Sequence, residues 1–230
     1  MGRRTFAAAA LSTLYVVATP IGNLEDVTLR SLRILGEVSA IAAEDTRVTA
    51  RLLARHGLRK PMISYRAPVE RRSLGKVLAA LDEGDVALVS DAGTPTLSDP
   101  GQALVDAAWT AGHRVVPVPG PSAVTAALAT AGFGGTGFVF LGYLPRKPGE
   151  LRRLLGSLTE ERRTAVAFES PYRIGKSLAA IAEVMPERRL AVARELTKLH
   201  EELLRGTAGE VAVRLGDRPR GEITLVISGA

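Results

Sequence analysis

Short apolar runs alternate with stretches of helical spacing along nearly the whole chain. The runs of strand length are Leu14 to Ala18, Val38 to Ala43, Ile63 to Tyr65, Val86 to Ser90, Arg114 to Val118, Phe138 to Tyr143, Thr164 to Phe168, Leu190 to Ala193 and Ile223 to Ile227. Between them, apolar side chains recur at three- and four-residue intervals. Helices are predicted over Thr28 to Leu35, after Arg47 to about His56, and over Arg71 to Leu81, Gln102 to Ala111, Ala123 to Gly132, Glu150 to Leu158 and Arg173 to Met185. Glu201 to Leu204 and Glu210 to Leu215 also read as helical. Gly57 supplies a left-handed stop, and Gly112 ends the helix before it. Alternation of this kind predicts an α/β architecture, with the last run, Ile223 to Ile227, at a sheet edge or in a hairpin.

The glycine-rich stretch 132–137 is the expected linker between an N-terminal α/β domain, 13–132, and a C-terminal one, 133–230. Its Gly132, Gly134 and Gly137 match G-x-G-x-x-G, but the stretch follows a helix and precedes a strand, the reverse of a dinucleotide fingerprint. Residues 1–12 are expected to be a variable extension. Arg3-Arg4-Thr5-Phe6 resembles a twin-arginine signal, yet a core strand begins almost at once behind it, which favours a cytoplasmic protein.

One stretch stands out from this punctuation. Val86 to Val89 feeds directly into Ser90-Asp91-Ala92-Gly93-Thr94-Pro95-Thr96-Leu97-Ser98-Asp99-Pro100-Gly101. Ser98 or Asp99 is expected to cap the next helix, with Pro100 at its first position. That leaves Asp91 to Pro95 unexplained, since an ordinary connection needs only about two to six residues. In open α/β sheets, ligands sit at the carboxyl ends of strands. Three other strand-end loops, Thr19 to Asn23, Gly120 to Ala123 and Glu169 to Arg173, share that position if the strands are parallel within each half.

Composition narrows the chemistry. Cysteine is absent, so disulfides, thiolate nucleophiles and thiolate metal sites are excluded. His56, His113 and His200 lie far apart with no metal-ligand spacing, and no metal is expected. Neither a P-loop nor a nucleophile elbow occurs. The net charge is +6, and 25 of the 30 basic residues are arginine, whose planar fork suits phosphate. Aromatic residues make up 4%, which argues against an extended base-stacking platform. No apolar run approaches the roughly 18 residues of a membrane span, so no membrane partner is expected.

Eight blocks in order resemble the ribosomal RNA small-subunit methyltransferase I family. They are Val17 to Leu24, Ala43 to Arg47, Ser90 to Pro95, Ser98 to Gly101, Pro119 to Ala123, Phe140 to Pro145, Phe168 to Arg173 and Arg194 to Lys198. These enzymes belong to the tetrapyrrole-methylase (class III methyltransferase) superfamily, and the resemblance runs from Leu14 to about Gly229. It implies two α/β domains with a cofactor cleft between them, S-adenosyl-L-methionine as methyl donor, and a homodimer. The implied acceptor is a cytidine ribose 2′-hydroxyl in the decoding region of 16S rRNA, in the small ribosomal subunit.

By the superfamily pattern, Asp91, Gly93, Thr94, Pro95 and Leu97 lie along the methionine part of the donor, and Ser122 and Ala123 nearby. Phe168 and Leu196 approach the adenine, while Pro20, Gly22 and Asn23 flank the acceptor entrance. One segment departs from the family pattern: Arg66-Ala67-Pro68-Val69-Glu70 stands where a His-Asn-containing stretch is expected.

Transfer from a sulfonium needs no general acid, but a carboxylate can orient or deprotonate the ribose hydroxyl. Asp45, Glu169, Glu195 and Asp91 are candidates, open alike to the simpler role of pairing with neighbouring cations. Arg47, Arg146, Lys147 and Arg173 are expected to meet RNA phosphate, as are Arg152 and Arg153 unless they form a solvated helix face. Two other functions remain in view: C-methylation of a tetrapyrrole precursor on the same fold, and non-catalytic RNA binding during ribosome assembly.

Overall fold

A computed structural model describes residues 12–67, 70–135, 137–217 and 219–230. The extension at 1–11, two residues of the departing segment (68 and 69) and Thr136 of the glycine stretch lie outside the described residues. The chain divides into two compact units between Ser122 and Ala123.

The first unit holds five parallel strands, β1 (Thr13–Val17), β2 (Ala40–Ala43), β3 (Met62–Ser64), β4 (Val86–Val89) and β5 (Arg114–Val118), in the order β3-β2-β4-β1-β5. Every residue of β2 and β4 is buried, as the uninterrupted apolar runs AIAA and VALV require of inner strands covered on both faces. Pro117, which has no N–H to give a neighbour, sits on the edge strand β5.

Alternate strand residues serve two cores. Val17, Ile41, Ala43, Ala87 and Val89 pack with α1 (Leu29–Glu37) and α2 (Thr46–Arg55). Leu14, Ala42, Val86 and Leu88 pack with α3 (Glu70–Glu83) and α4 (Gln102–Thr110). The chain steps in one direction through β1, β2 and β3 and then back through β4 to β5. Right-handed crossovers therefore put α1 and α2 on one face and α3 and α4 on the other. The connections leaving β2 and β4 diverge, which opens the crevice where open sheets bind ligands.

The second unit begins at Ala123, before the glycine stretch, because α5 (Ala123–Ala131) packs against its sheet. The strands are β6 (Phe138–Tyr143), β7 (Thr164–Glu169), β8 (Arg189–Arg194), β9 (Glu202–Thr207) and β10 (Ile223–Ile227), in the order β6-β7-β10-β8-β9. Helices α6 (Pro148–Ser157), α7 (Ile174–Val184) and α8 (Ala208–Leu215) cover one face, and α5 covers the other.

Two expectations are corrected here. Glu201 to Leu204 is not helical: Glu202–Thr207 is a strand paired antiparallel to β8 along six residues. Ile223 to Ile227 is not at an edge: it lies in the middle, antiparallel to both β7 and β8, with all five residues buried. The sheet is thus mixed, but β6, β7 and β8 still run in one direction. Their following loops share one end of the sheet with the start of β10, where Ile223 faces Glu169 and Arg194.

Candidate functional site

In the first unit the loops after β1, β4 and β5 are tied together. Thr19 and Gly93 exchange backbone hydrogen bonds, Thr19 N–H to Gly93 O at 2.9 Å and Gly93 N–H to Thr19 O at 3.0 Å. The Thr19 hydroxyl donates to Ser90 O at 3.1 Å, and the Thr94 hydroxyl reaches Pro121 O at 3.5 Å. Gly93 has φ +79°. Thr96 and Ser98, which are not glycines, also sit at positive φ, 73° and 70°. Such backbone costs about 1–3 kcal/mol per residue and clusters at ligand-holding segments.

Ser98 and Asp99 do not cap α4, as the sequence suggested. The cap is Gly101 at φ +133°, with no side-chain cap, and Pro100 lies before the helix. An added Cβ on Gly101 would lie 2.8 Å from Leu88 Cδ2. The loop stays outside the helix because Thr96, Ser98 and Gly101 interrupt it with positive φ.

Four carboxylates gather where β2 and β4 end. Asp45 caps α2, accepting the Arg47 N–H at 2.8 Å, and its two oxygens also hold the Arg47 guanidinium, Nε at 3.0 Å and Nη2 at 2.6 Å. That pairing holds the Asp45 carboxyl below the ordinary carboxylate range. The Asp45 N–H donates to Asp91 Oδ1 at 2.8 Å, and the Asp91 N–H donates to Glu44 Oε2 at 3.2 Å. Burial pushes the Glu44 carboxyl up against the opposing Asp91 N–H bond, and the charges of Asp91, Asp99 and Asp45 add to the rise. Asp99 is raised as well, first by burial and then by Asp91, with a Ser90 hydrogen bond opposing.

Glu44 was legible only as part of a block. Its signal was position, the first residue beyond an all-apolar strand. Of the residues expected at the acceptor entrance, Pro20 is buried, Gly22 is exposed, and the Asn23 side chain is used in capping the turn Leu24–Asp26. Pro95 is buried, while Leu97 is exposed.

In the second unit the predicted residues divide into supports and open groups. Glu169 is buried, and both its oxygens are engaged: Oε1 accepts the Ser170 N–H at 2.7 Å, and Oε2 accepts the Ser177 hydroxyl at 2.5 Å. Arg173 lies 3.4 Å from the same Oε2 and donates to Leu144 O at 2.9 Å and Pro145 O at 2.7 Å. The pair therefore fixes the loop after β6 against the start of α7.

Glu195, at φ +52°, joins the β8 loop to β10 by accepting Lys198 Nζ at 2.8 Å and the Glu222 N–H at 2.9 Å. The Lys198 hydrogen bond, followed by the Glu222 N–H, holds its carboxyl below the ordinary value. Phe168 faces α5, edge-on to Phe140 at 5.1 Å and Tyr143 at 5.6 Å, and Leu196 packs in the same cluster. Lys147 pairs with Glu150, and Arg152 with Glu183. Arg146 is exposed on the loop that Arg173 anchors.

Ser122 and Ala123 are half-buried at the join between the last loop of the first unit and α5. The structure thus brings Gly93, Thr94, Asp91 and the Thr19 loop together in one unit, and Phe168 and Leu196 in the other. Among the described residues no helix is long and apolar enough to cross a membrane, and no three carboxylate or imidazole groups cluster as metal ligands.

Residues 13–212 match the family described as tetrapyrrole (corrin/porphyrin) methylases. A ribosomal RNA small subunit methyltransferase I of Neisseria meningitidis serogroup B is 50% identical over 219 residues, 94% of this chain and 75% of that protein. The protein of the same name from Thermotoga maritima is 47% identical over 221 residues, 95% and 99% of the two chains. Solved structures show the same fold at lower identity. A cobalt precorrin-4 methyltransferase superposes with TM-score 0.70 at 17% identity, covering 97% of this chain and 98% of its own. A uroporphyrin-III C-methyltransferase of Thermus thermophilus, in complex with S-adenyl homocysteine, gives 0.63 at 18%, covering 94% and 96%.

Proposed function

The chain belongs to the tetrapyrrole methylase family, in its ribosomal RNA small subunit methyltransferase I group, and we propose that it methylates the ribose 2′-hydroxyl of a decoding-region cytidine in 16S rRNA. It is a methyltransferase that uses S-adenosylmethionine. The observation that carries the substrate class is 50% identity along nearly the whole chain to a protein of that name. The tetrapyrrole-methylating neighbours share the fold at 17–18% identity, too little to transfer a substrate.

The residues fit the donor. Gly93, Thr94, Pro95 and Leu97 form a loop with two left-handed non-glycine residues, and Asp91 stands at its start beside Glu44 and Asp99. A cation placed before those crowded carboxylates relieves their repulsion. We assign the methionine end of the donor to this loop with Ser122 and Ala123, and the adenine end to the apolar cluster of Phe168 and Leu196.

The donor supplies an electrophilic methyl group on a sulfonium that departs as a neutral thioether. The chain supplies position, which accounts for much of the rate of an in-line displacement. Asp45, Glu169 and Glu195 hold Arg47, α7 and β10 respectively, and Asp91 holds the Asp45 N–H, so we assign the role of orienting and deprotonating the ribose hydroxyl to Glu44. Its Oε2 is engaged by Asp91, which leaves Oε1 for an outside donor. Pro20, Gly22 and Asn23 flank the acceptor, and Arg47, Arg146 and Lys147 line its phosphates, while Arg173, expected there from the sequence, holds the loop that carries Arg146.

The test is tritium transfer from labelled S-adenosylmethionine to isolated small ribosomal subunits and, separately, to a tetrapyrrole precursor. Label in rRNA that survives alkali as a resistant dinucleotide supports the ribose site. Label in the tetrapyrrole alone overturns the reading, and label in neither leaves only a binding role.

A further inference from the structure

Many cations of the second unit are already neutralised. Arg163 pairs with Glu161, Arg194 with Glu202, and Lys198 with Glu195 and Glu222, while Arg173 and Arg188 are spent on backbone carbonyls. The side chains of Lys176 and Arg220 have no such partner among the described residues, and both are exposed. They line one groove of about 990 Å³, formed where α7 begins, α8 ends and the chain turns into β10. Pro171 and Pro219 make rigid walls, and Asp217 is the acidic residue of the lining. Tyr172 stands at its rim, 93% exposed. Neighbouring Arg173 anchors the carbonyls of Leu144 and Pro145, so the loop that carries Arg146 is fixed at the same end of the sheet.

We infer that this groove holds single-stranded RNA, with one base stacked on Tyr172 and flanking phosphates on Lys176 and Arg220. The inference rests on the rRNA methyltransferase reading and adds a contact surface that the loops of the donor site do not include. A flat exposed ring gains little from water but stacks on any base. An unpaired ammonium and guanidinium at the groove edge are costly to bury against an apolar protein surface, whereas phosphate pairs with both. Among the described residues the lining carries two cations against one carboxylate, on a chain of net charge +6, which favours a polyanion over a protein partner.

The test uses the full chain and a fluorescein-labelled single-stranded RNA of about a dozen nucleotides, read by anisotropy over a salt series. Loss of one stacked base in Tyr172→Ala is expected to raise Kd about 5- to 100-fold, while Tyr172→Phe keeps the wild-type Kd. Lys176→Glu with Arg220→Glu lowers the slope of log K against log salt by about 0.7 per phosphate contact removed. The same double variant raises KM for small subunits, with donor affinity by calorimetry as in wild type.

Wild-type Kd and slope in all variants overturn the inference. So does a change of molecular mass on sedimentation in the double variant, which assigns the face to a second copy of the chain. A wild-type protein that binds the RNA through these residues but methylates no rRNA refutes the parent reading and leaves the groove standing.

Discussion

At the scale of single residues, the site depends on what the carboxylates already hold. Asp45, Glu169 and Glu195 are the acidic residues that most resemble catalytic groups in sequence, each following an apolar strand. In the fold each is bound to a cation, a hydroxyl or a backbone N–H. Glu44, beside Asp45, has one oxygen with no partner among the described residues and a raised proton affinity. Glu44→Gln should therefore lower kcat about a hundredfold or more, measured by methyl transfer to small subunits; a loss under about threefold removes Glu44 as the base.

The same residue has a signature in stability. Glu44 binds its proton more tightly in the fold than in the open chain, where it titrates near 4.5. Between those two values the folded state holds more protons, so stability falls as pH rises through the window and levels off above it. Glu44→Gln should flatten that fall in urea midpoints measured from about pH 4 to 7. The Asp45–Arg47 pair has the opposite sign: its contribution is present above 3.8 and is lost as pH drops below it. Gly101 is the other residue whose environment is decisive. With φ +133° and a Leu88 methyl 2.8 Å from any added Cβ, Gly101→Ala should cost about 1–3 kcal/mol. A melting temperature unchanged within about 2 °C contradicts that account.

At the scale of elements, legibility followed the source of the stabilising contacts. Strands β2 and β4 were readable because inner parallel strands need continuous apolar runs. Residues 201–204 were misread because Glu-Glu-Leu-Leu has high helix propensity, and only pairing with β8, distant from sequence view, makes it a strand. The position of β10 was recoverable in part, since Ile-Thr-Leu-Val-Ile lacks the polar alternation of a half-exposed edge. The α4 cap was missed because Ser98, Asp99 and Pro100 match a capping pattern while the backbone around them is left-handed.

Glu169 belongs to this scale too. It secures Ser177 on α7 and, through Arg173, the β6 loop. Glu169→Ala should lower the urea-derived stability by about 1–3 kcal/mol, the cost of leaving buried polar partners unmet. A full loss of turnover at unchanged stability would instead make it catalytic.

At the scale of the whole molecule, the arginine-rich charge of +6 was plain in the sequence, but which arginines remain free was not, because pairing depends on tertiary neighbours. The charge should appear in function as salt dependence. If about six phosphates are engaged, affinity for small subunits falls by about 10³ between 50 and 200 mM salt, measurable by filter binding. A flat response removes the polyanion from the account. The packing of α5 depends on distant neighbours in the same way: Val124, Ala127 and Ala131 lie on Val166, Ala191 and Val226, so Ala123 onward clusters with the second unit.

The central place of β10 also bears on how the chain is made. Synthesis releases the amino end first, and domains tend to fold as they emerge. Once Val118 is out, all five strands of the first sheet exist. The second sheet has no such early moment. Until Ile223 to Ile227 arrives, β6 with β7 and β8 with β9 are two separate ribbons, because among the described strands β10 alone hydrogen-bonds to both β7 and β8. Two-stranded pieces are marginal on their own, and each presents an open edge to other nascent chains. The final strand thus acts as a keystone, and the interval before it is set is the protein's period of greatest exposure to misassembly.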